Sequence, residues 1–168
     1  MKNIILIGFM GTGKTSVGKE LAKSIDMDFI DMDLEIEKLE KKTINKIFKE
    51  HGEIYFRKKE EELLKNICNL ENAIISTGGG IIENKNNIEI LKNEQHVIWL
   101  DGNVNTIINN IKDEIDKRPK LKDLKDVKTY IEELLKCRYE KYEECSNIKI
   151  DINNKNISQV VREILVYI

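Results

Sequence analysis

The sequence predicts an α/β fold in three layers, with a five-stranded parallel sheet between two layers of helices. Two observations carry that prediction. Short apolar runs alternate with helical patterns along all 168 residues, as strands joined by crossover helices do. The first run leads into Gly8-Phe9-Met10-Gly11-Thr12-Gly13-Lys14-Thr15, a GxxxxGK[ST] loop whose backbone N–H groups close around phosphate oxygens between a strand and a helix. The expected fold is therefore of the P-loop NTPase type.

Each element has its own signal. Ile4-Ile5-Leu6-Ile7 reads as a buried parallel strand, and Ser16 to Ile25 carries Val17, Leu21, Ala22 and Ile25 at helical spacing. Phe29-Ile30 forms a second strand that leads into Asp31-Met32-Asp33. A charged, largely helical region follows from about Leu34 to Asn69, with a break near Gly52. Ala73-Ile74-Ile75-Ser76 is a third strand ending in Gly78-Gly79-Gly80, and Val97-Ile98-Trp99-Leu100 a fourth. The last strand, about Ile148 to Ile152, precedes a terminal helix with Ile157, Val160, Val161, Ile164 and Leu165. Right-handed crossovers bring the carboxyl ends of all these strands to one edge, where ligands of such sheets bind. Lys112 to Lys128 breaks the pattern: Asp- and Lys-rich, with Pro119 and few apolar anchors, it reads as a mobile surface segment. Internal repeats are absent.

The length suits one domain over residues 1–168. Lys and Arg number 28 against 30 Asp and Glu, a net charge of −2, which gives no reason to expect nucleic acid as a partner. Cys68, Cys137 and Cys145 are odd in number and lack CxxC spacing, so the expectation is reduced, partly buried thiols rather than disulfides or a zinc site. His51 and His96 lack partners at metal-ligand spacing. The N-terminal apolar stretch is too short for a membrane span and has no small-residue cleavage site, which predicts a cytoplasmic protein without a membrane partner.

The P-loop assigns chemistry to its residues. Glycine lets the backbone turn inward, Lys14 places a charge on the β and γ phosphates, and Thr15 offers a hydroxyl to Mg²⁺. Gly11, Thr12, Gly13, Lys14, Thr15 and Ser16 are the expected nucleotide contacts. Asp31 and Asp33 alternate at a strand end, so period two would point both toward the mouth of the site. The competing reading is that they cap the next helix.

Taken together, the P-loop, Asp31-Met32-Asp33, Gly52 to Arg57, Gly78-Gly79-Gly80, Arg118-Pro119 and Arg138 resemble shikimate kinase in order and spacing, over roughly residues 1 to 165. The resemblance implies ATP as phosphoryl donor, shikimate as acceptor, Mg²⁺ as the accompanying metal, and a monomer. It implies that Asp31 assists the metal through its water shell and that Asp33 contacts the acceptor hydroxyl and takes its proton. By the same resemblance Arg57 and Arg138 grip the substrate carboxylate, while Gly78, Gly79 and Gly80 approach the ring and the γ phosphate. A lid at about 112–125 would carry Arg118 onto the transferring phosphate, making it a catalytic residue beside Lys14 and Asp33. Standing alone, each arginine reads more readily as a surface charge or a helix ion pair.

Three neighbours bear on these roles. Phe48 and Phe56 would wall the acceptor pocket or serve as core, and Glu60, one turn after Arg57, would hold that arginine or form an ordinary surface pair. Two departures stand out. The lid has Lys120 where the family usually has leucine, and Asn109, Asn110, Ile111 and Lys112 occupy the stretch where an adenine-stacking arginine is common. Lys112, or backbone near Asn153 to Asn156, is the expected substitute. Rival readings are a gluconate or nucleoside monophosphate kinase, a GTP-binding switch and a non-catalytic sensor. Asn110-Ile111-Lys112-Asp113 has the wrong order for a guanine-reading NKxD motif, and retention of Lys14, Thr15, Asp31, Asp33 and Arg118 argues against lost catalysis.

Overall fold

The structure, a computed structural model, describes residues 2–112, 121, 124 and 126–168. Its elements run β1 (Ile4–Ile7), α1 (Lys14–Ile25), β2 (Asp28–Asp31), α2 (Met32–Glu40), α3 (Ile44–Cys68), β3 (Ala73–Ser76), a 3₁₀ turn (Ile81–Glu83), α4 (Lys85–Lys92), β4 (His96–Asp101), α5 (Val104–Ile111), α6 (Val127–Cys145), β5 (Ile148–Asp151) and α7 (Ile157–Ile164). The sheet has five parallel strands in the order β2-β3-β1-β4-β5. The predicted architecture is the one observed.

Alternation along β1 divides the core. Ile5 and Ile7 face one layer, with Ile75, Val97, Trp99, Leu64 and Phe56. Ile4 and Leu6 face the other, with Ile74, Ile98, Leu21, Val160 and Val161. A central strand covered on both faces has no polar side, which is why β1 reads as an unbroken apolar run. The order reverses beside β1, so its loop opens at the switch point where ligands of parallel sheets bind.

Four sequence expectations need correction. The helical region splits at Lys41–Thr43 as well as at Gly52: Lys41 takes φ 53°, and the Thr43 side chain accepts from Lys46 N to start α3. A lysine in the left-handed conformation leaves no glycine signal to read. Helix α2 starts at Met32, so Asp33 lies in its first turn and not on the strand. Leu165 caps α7 at 37 % exposure instead of packing in its apolar face. Cys137 is exposed, whereas Cys68 and Cys145 are partly or fully buried as expected.

Candidate active site

The P-loop is tied down at three points. Thr12 Oγ1 donates to Phe9 O at 2.8 Å, Asn110 of α5 donates through Nδ2 to Gly11 O at 2.8 Å, and Lys14 Nζ donates to Gly8 O and Phe9 O at 2.8 and 2.9 Å. Gly13, at φ 81°, starts α1 in a conformation that favours glycine. Thr15 Oγ1 donates to Asp31 Oδ2 at 2.7 Å, while the other Asp31 oxygen accepts from Asp33 N and Leu34 N. Asp31 is thus both the cap of α2 and a partner of the P-loop, and the two readings of it hold together. Period two fails for Asp33 because the helical turn begins between the two acids, yet that turn still brings both carboxylates to one cleft.

That cleft, about 800 Å³, is walled by residues 10–17 with Asp31 and Asp33, and farther out by Thr106, Asn109, Asn110, Asn154, Lys155 and Asn156. The expected adenine-side loop does line it. Lys112 is exposed at the end of α5 and does not. Asn153 joins the two sides by accepting from Asn103 N at 2.9 Å and Thr106 Oγ1 at 2.7 Å.

A second cleft of about 950 Å³ lies across Gly79, lined by Phe48, Phe56, Arg57, Glu60, Gly78, Gly80, Glu83 and Arg138 among others. Arg57 Nη1 donates to Glu60 Oε2 at 2.7 Å and Nη2 to Glu53 Oε1 at 3.1 Å. Glu60 is fully buried, with Oε1 lacking a hydrogen-bond partner among the described residues. Burial pushes its carboxyl up to about 7 despite the pull of Arg57. Phe48 and Phe56 pack 4.9 Å apart as part of the wall. Glu60 therefore holds Arg57 as a buried partner, and the aromatic pair serves as cleft wall and core at once, so both readings of it hold.

Each glycine of the triplet makes room for a different piece of the site. A Cβ on Gly78 would lie 2.7 Å from Glu60 Oε1 and 2.9 Å from Asp33 Oδ1. On Gly79 it would meet Met10 N at 2.9 Å, and on Gly80 Nη1 of Arg57 at 2.7 Å. Gly79 O accepts from Tyr142 Oη at 2.6 Å and Arg138 Nη1 at 3.4 Å. Arg138 is buried, stacks its guanidinium 5.4 Å above the Phe9 ring, and donates through Nε to Glu83 Oε1 at 2.6 Å. Lys141 Nζ takes the second Glu83 oxygen at 2.7 Å. Although burial opposes its charge, these two donors hold Glu83 below the usual carboxylate range.

Met10, Asp33 and Gly79 border both clefts, so Asp33 stands where they meet. Burial first, and then the charge of Asp31, push the Asp33 carboxyl up from its ordinary range, with Lys14 and Arg57 pulling the other way. Sequence reasoning missed Glu53, Glu83, Lys141 and Tyr142. Glu53 was findable, being four residues before Arg57 on a helix. Glu83 was not, because 55 residues separate it from Arg138. Arg118 and most of the expected lid at 112–125 lie outside the described residues.

The family model described as shikimate kinase matches residues 10–168. The chain belongs to the shikimate kinase family. A shikimate kinase of a Sulfurihydrogenibium species is 43 % identical over 166 residues, covering 98 % of this chain and 96 % of that one. One from Clostridium botulinum is 44 % identical over 165 residues, with 98 % and 96 % covered. Among solved structures, shikimate kinase from Acinetobacter baumannii in complex with shikimate superposes with a TM-score of 0.92 at 32 % identity, covering 99 % of this chain and 92 % of that one. The chain is a P-loop kinase of this family, with the α/β fold the sequence predicts.

Proposed function

We propose that this enzyme transfers the γ-phosphoryl group of ATP to the 3-hydroxyl of shikimate, giving shikimate 3-phosphate and ADP, a step in chorismate and aromatic amino-acid biosynthesis. The observation that carries this reading is the meeting of two clefts at Asp33, one built on a P-loop and the other lined by two guanidinium groups, Arg138 buried and Arg57 half-buried. A phosphate donor and a carboxylate-bearing acceptor fit those two sides.

The residues divide the work. Backbone N–H groups of Gly11 to Ser16 and the Lys14 ammonium hold the phosphates. Arg57 and Arg138 receive the acceptor carboxylate as planar forks, which fixes the ring against Gly78, Gly79 and Gly80. Asp33 orients the attacking hydroxyl and accepts its proton, a task suited to a carboxyl whose proton affinity is raised. Phosphoryl transfer passes through a loose transition state, so alignment and charge matter more than base strength. Arg118 would add positive charge at the transferring phosphate from the lid.

The hydrogen-bonded Thr15 hydroxyl and Asp31 carboxylate form a hard-oxygen pair beside the phosphate site, a donor set suited to Mg²⁺ held mainly by phosphate and water. When bound, that ion neutralises charge on the phosphates. The reading carries one domain over residues 1–168, a cytoplasmic monomer acting on small molecules, with neither nucleic acid nor membrane as partner. Among the described residues no helix is long and apolar enough to cross a membrane.

The deciding experiment is ADP release from ATP and Mg²⁺ with shikimate, with gluconate, with nucleoside monophosphates and with no acceptor. Stimulation by shikimate alone is expected. Stimulation by another acceptor would remove the roles given to Arg57 and Arg138 and leave the P-loop chemistry standing.

A further inference from the structure

Arg138 meets a protein carboxylate in the pocket where, on the reading above, it receives the substrate's. Glu83 and Glu60 are among the carboxylates that line this pocket alongside Arg57 and Arg138. An anionic acceptor entering such a pocket competes with the protein's own acids for the arginines. How Glu83 is held therefore decides what Arg138 has left to offer.

A guanidinium carries five N–H donors, and a carboxylate grips it best through two parallel bonds. Glu83 takes one donor, Nε, through Oε1 at 2.6 Å. Its Oε2 is engaged by Lys141 at 2.7 Å. Lys141 sits one turn after Arg138 on α6, so the two cations straddle the Glu83 carboxylate from one helix face. Were Oε2 released, the carboxylate could rotate to grip Nε and Nη2 together, committing one of the two Nη2 donors and more of the guanidinium charge to the protein's own acid. The Lys141 charge also offsets that of Glu83 beside the incoming anion.

We propose that Glu83 and Lys141 are positioning residues for carboxylate recognition: Glu83 fixes Arg138 through Nε alone, and Lys141, by holding the second oxygen, keeps both N–H donors of Nη2 available to substrate. The proposal rests on the assignment of Arg138 to the acceptor carboxylate. It also explains why a pocket for an anion tolerates an acid against its own anchor.

The test is a double-mutant cycle read in steady-state kinetics, with thermal melts to show that each variant folds. Lys141→Met is expected to raise the KM for shikimate roughly fivefold while KM for ATP and kcat change little, and Lys141→Arg is expected to restore it. In a Glu83→Gln background the same lysine substitution should change that KM less than about twofold, because the amide nitrogen is a donor and has no second acceptor to turn on Nη2. An unchanged KM in Lys141→Met, or an equal rise with Gln at 83, would overturn the proposal. Arg138→Lys separates the two assignments. If it leaves the shikimate KM unchanged, the underlying role of Arg138 fails, whereas a rise there beside a silent Lys141→Met removes only the positioning role.

Discussion

A side chain at Gly80 would press on the guanidinium of Arg57, although the backbone there, at φ −108°, suits any residue. The obstacle is the far end of a flexible side chain, so Gly80→Ala should fold normally with Tm nearly unchanged. It should raise the KM for shikimate about tenfold by displacing the arginine. Kinetics beside a melting curve check this, and a lowered Tm with normal KM would mean the glycine serves the backbone. Asp33 is the other decisive residue. Asp33→Asn keeps its volume and, on the proposed mechanism, removes the proton acceptor, so kcat should fall about a hundredfold or more. ADP titration should show nearly unaltered nucleotide binding, since Asp31 and not Asp33 partners Thr15. Loss of ADP affinity would reassign Asp33 to the metal.

Helix α3 shows how an element can be shaped for one side chain. Gly52 breaks it at φ 80° and ψ 173°, and among the described residues no atom beyond its own stretch of helix comes within 4 Å of where a Cβ would lie. Space is free there and conformation is not, the reverse of Gly80. Gly52→Ala should therefore cost about 1–3 kcal/mol of stability, measured by denaturant unfolding, and raise the shikimate KM by shifting Glu53 and Arg57 together. A neutral substitution would show that the bend is not required. The break was legible, because glycine inside a helical pattern is a punctuation mark. The earlier interruption at Lys41 was not, since its left-handed turn is held by hydrogen bonds to Glu37 O and Lys38 O and not by a residue type that announces it. The start of α2 was misread for a related reason: Asp31 is both the last strand residue and the first cap, and periodicity cannot locate that change within one residue.

On the scale of the whole molecule, the site is held by a buried acid whose state changes with pH. Glu60 faces Arg57 on its own helix, Asp33 of α2 and Arg138 of α6. Burial raises its carboxyl from 4.5 to about 7, so folding binds a proton in that interval. Its contribution to stability is then complete below about pH 4.5 and is lost as pH rises through about 7. Wild type should therefore lose stability relative to Glu60→Gln between pH 5 and 8, by at most a few kcal/mol, read from denaturant midpoints at each pH. A difference that stays flat would place the carboxylate as charged throughout, paired with Arg57. Nothing in residues 57–60 announces such a group, because an Arg–Glu pair at helical spacing looks the same on a surface as in a core. By itself the sequence determined the parallel sheet, the P-loop with its phosphate chemistry and the list of residues at the strand ends, since apolar runs, glycine and spacing are local signals. Only the tertiary structure decided that Asp33 lies between two clefts, that three neighbouring glycines clear space for three different segments, and that Glu83 and Lys141 brace Arg138. Those relations join residues far apart in the chain, and burial and approach between them exist only once the sheet and its covering helices have packed.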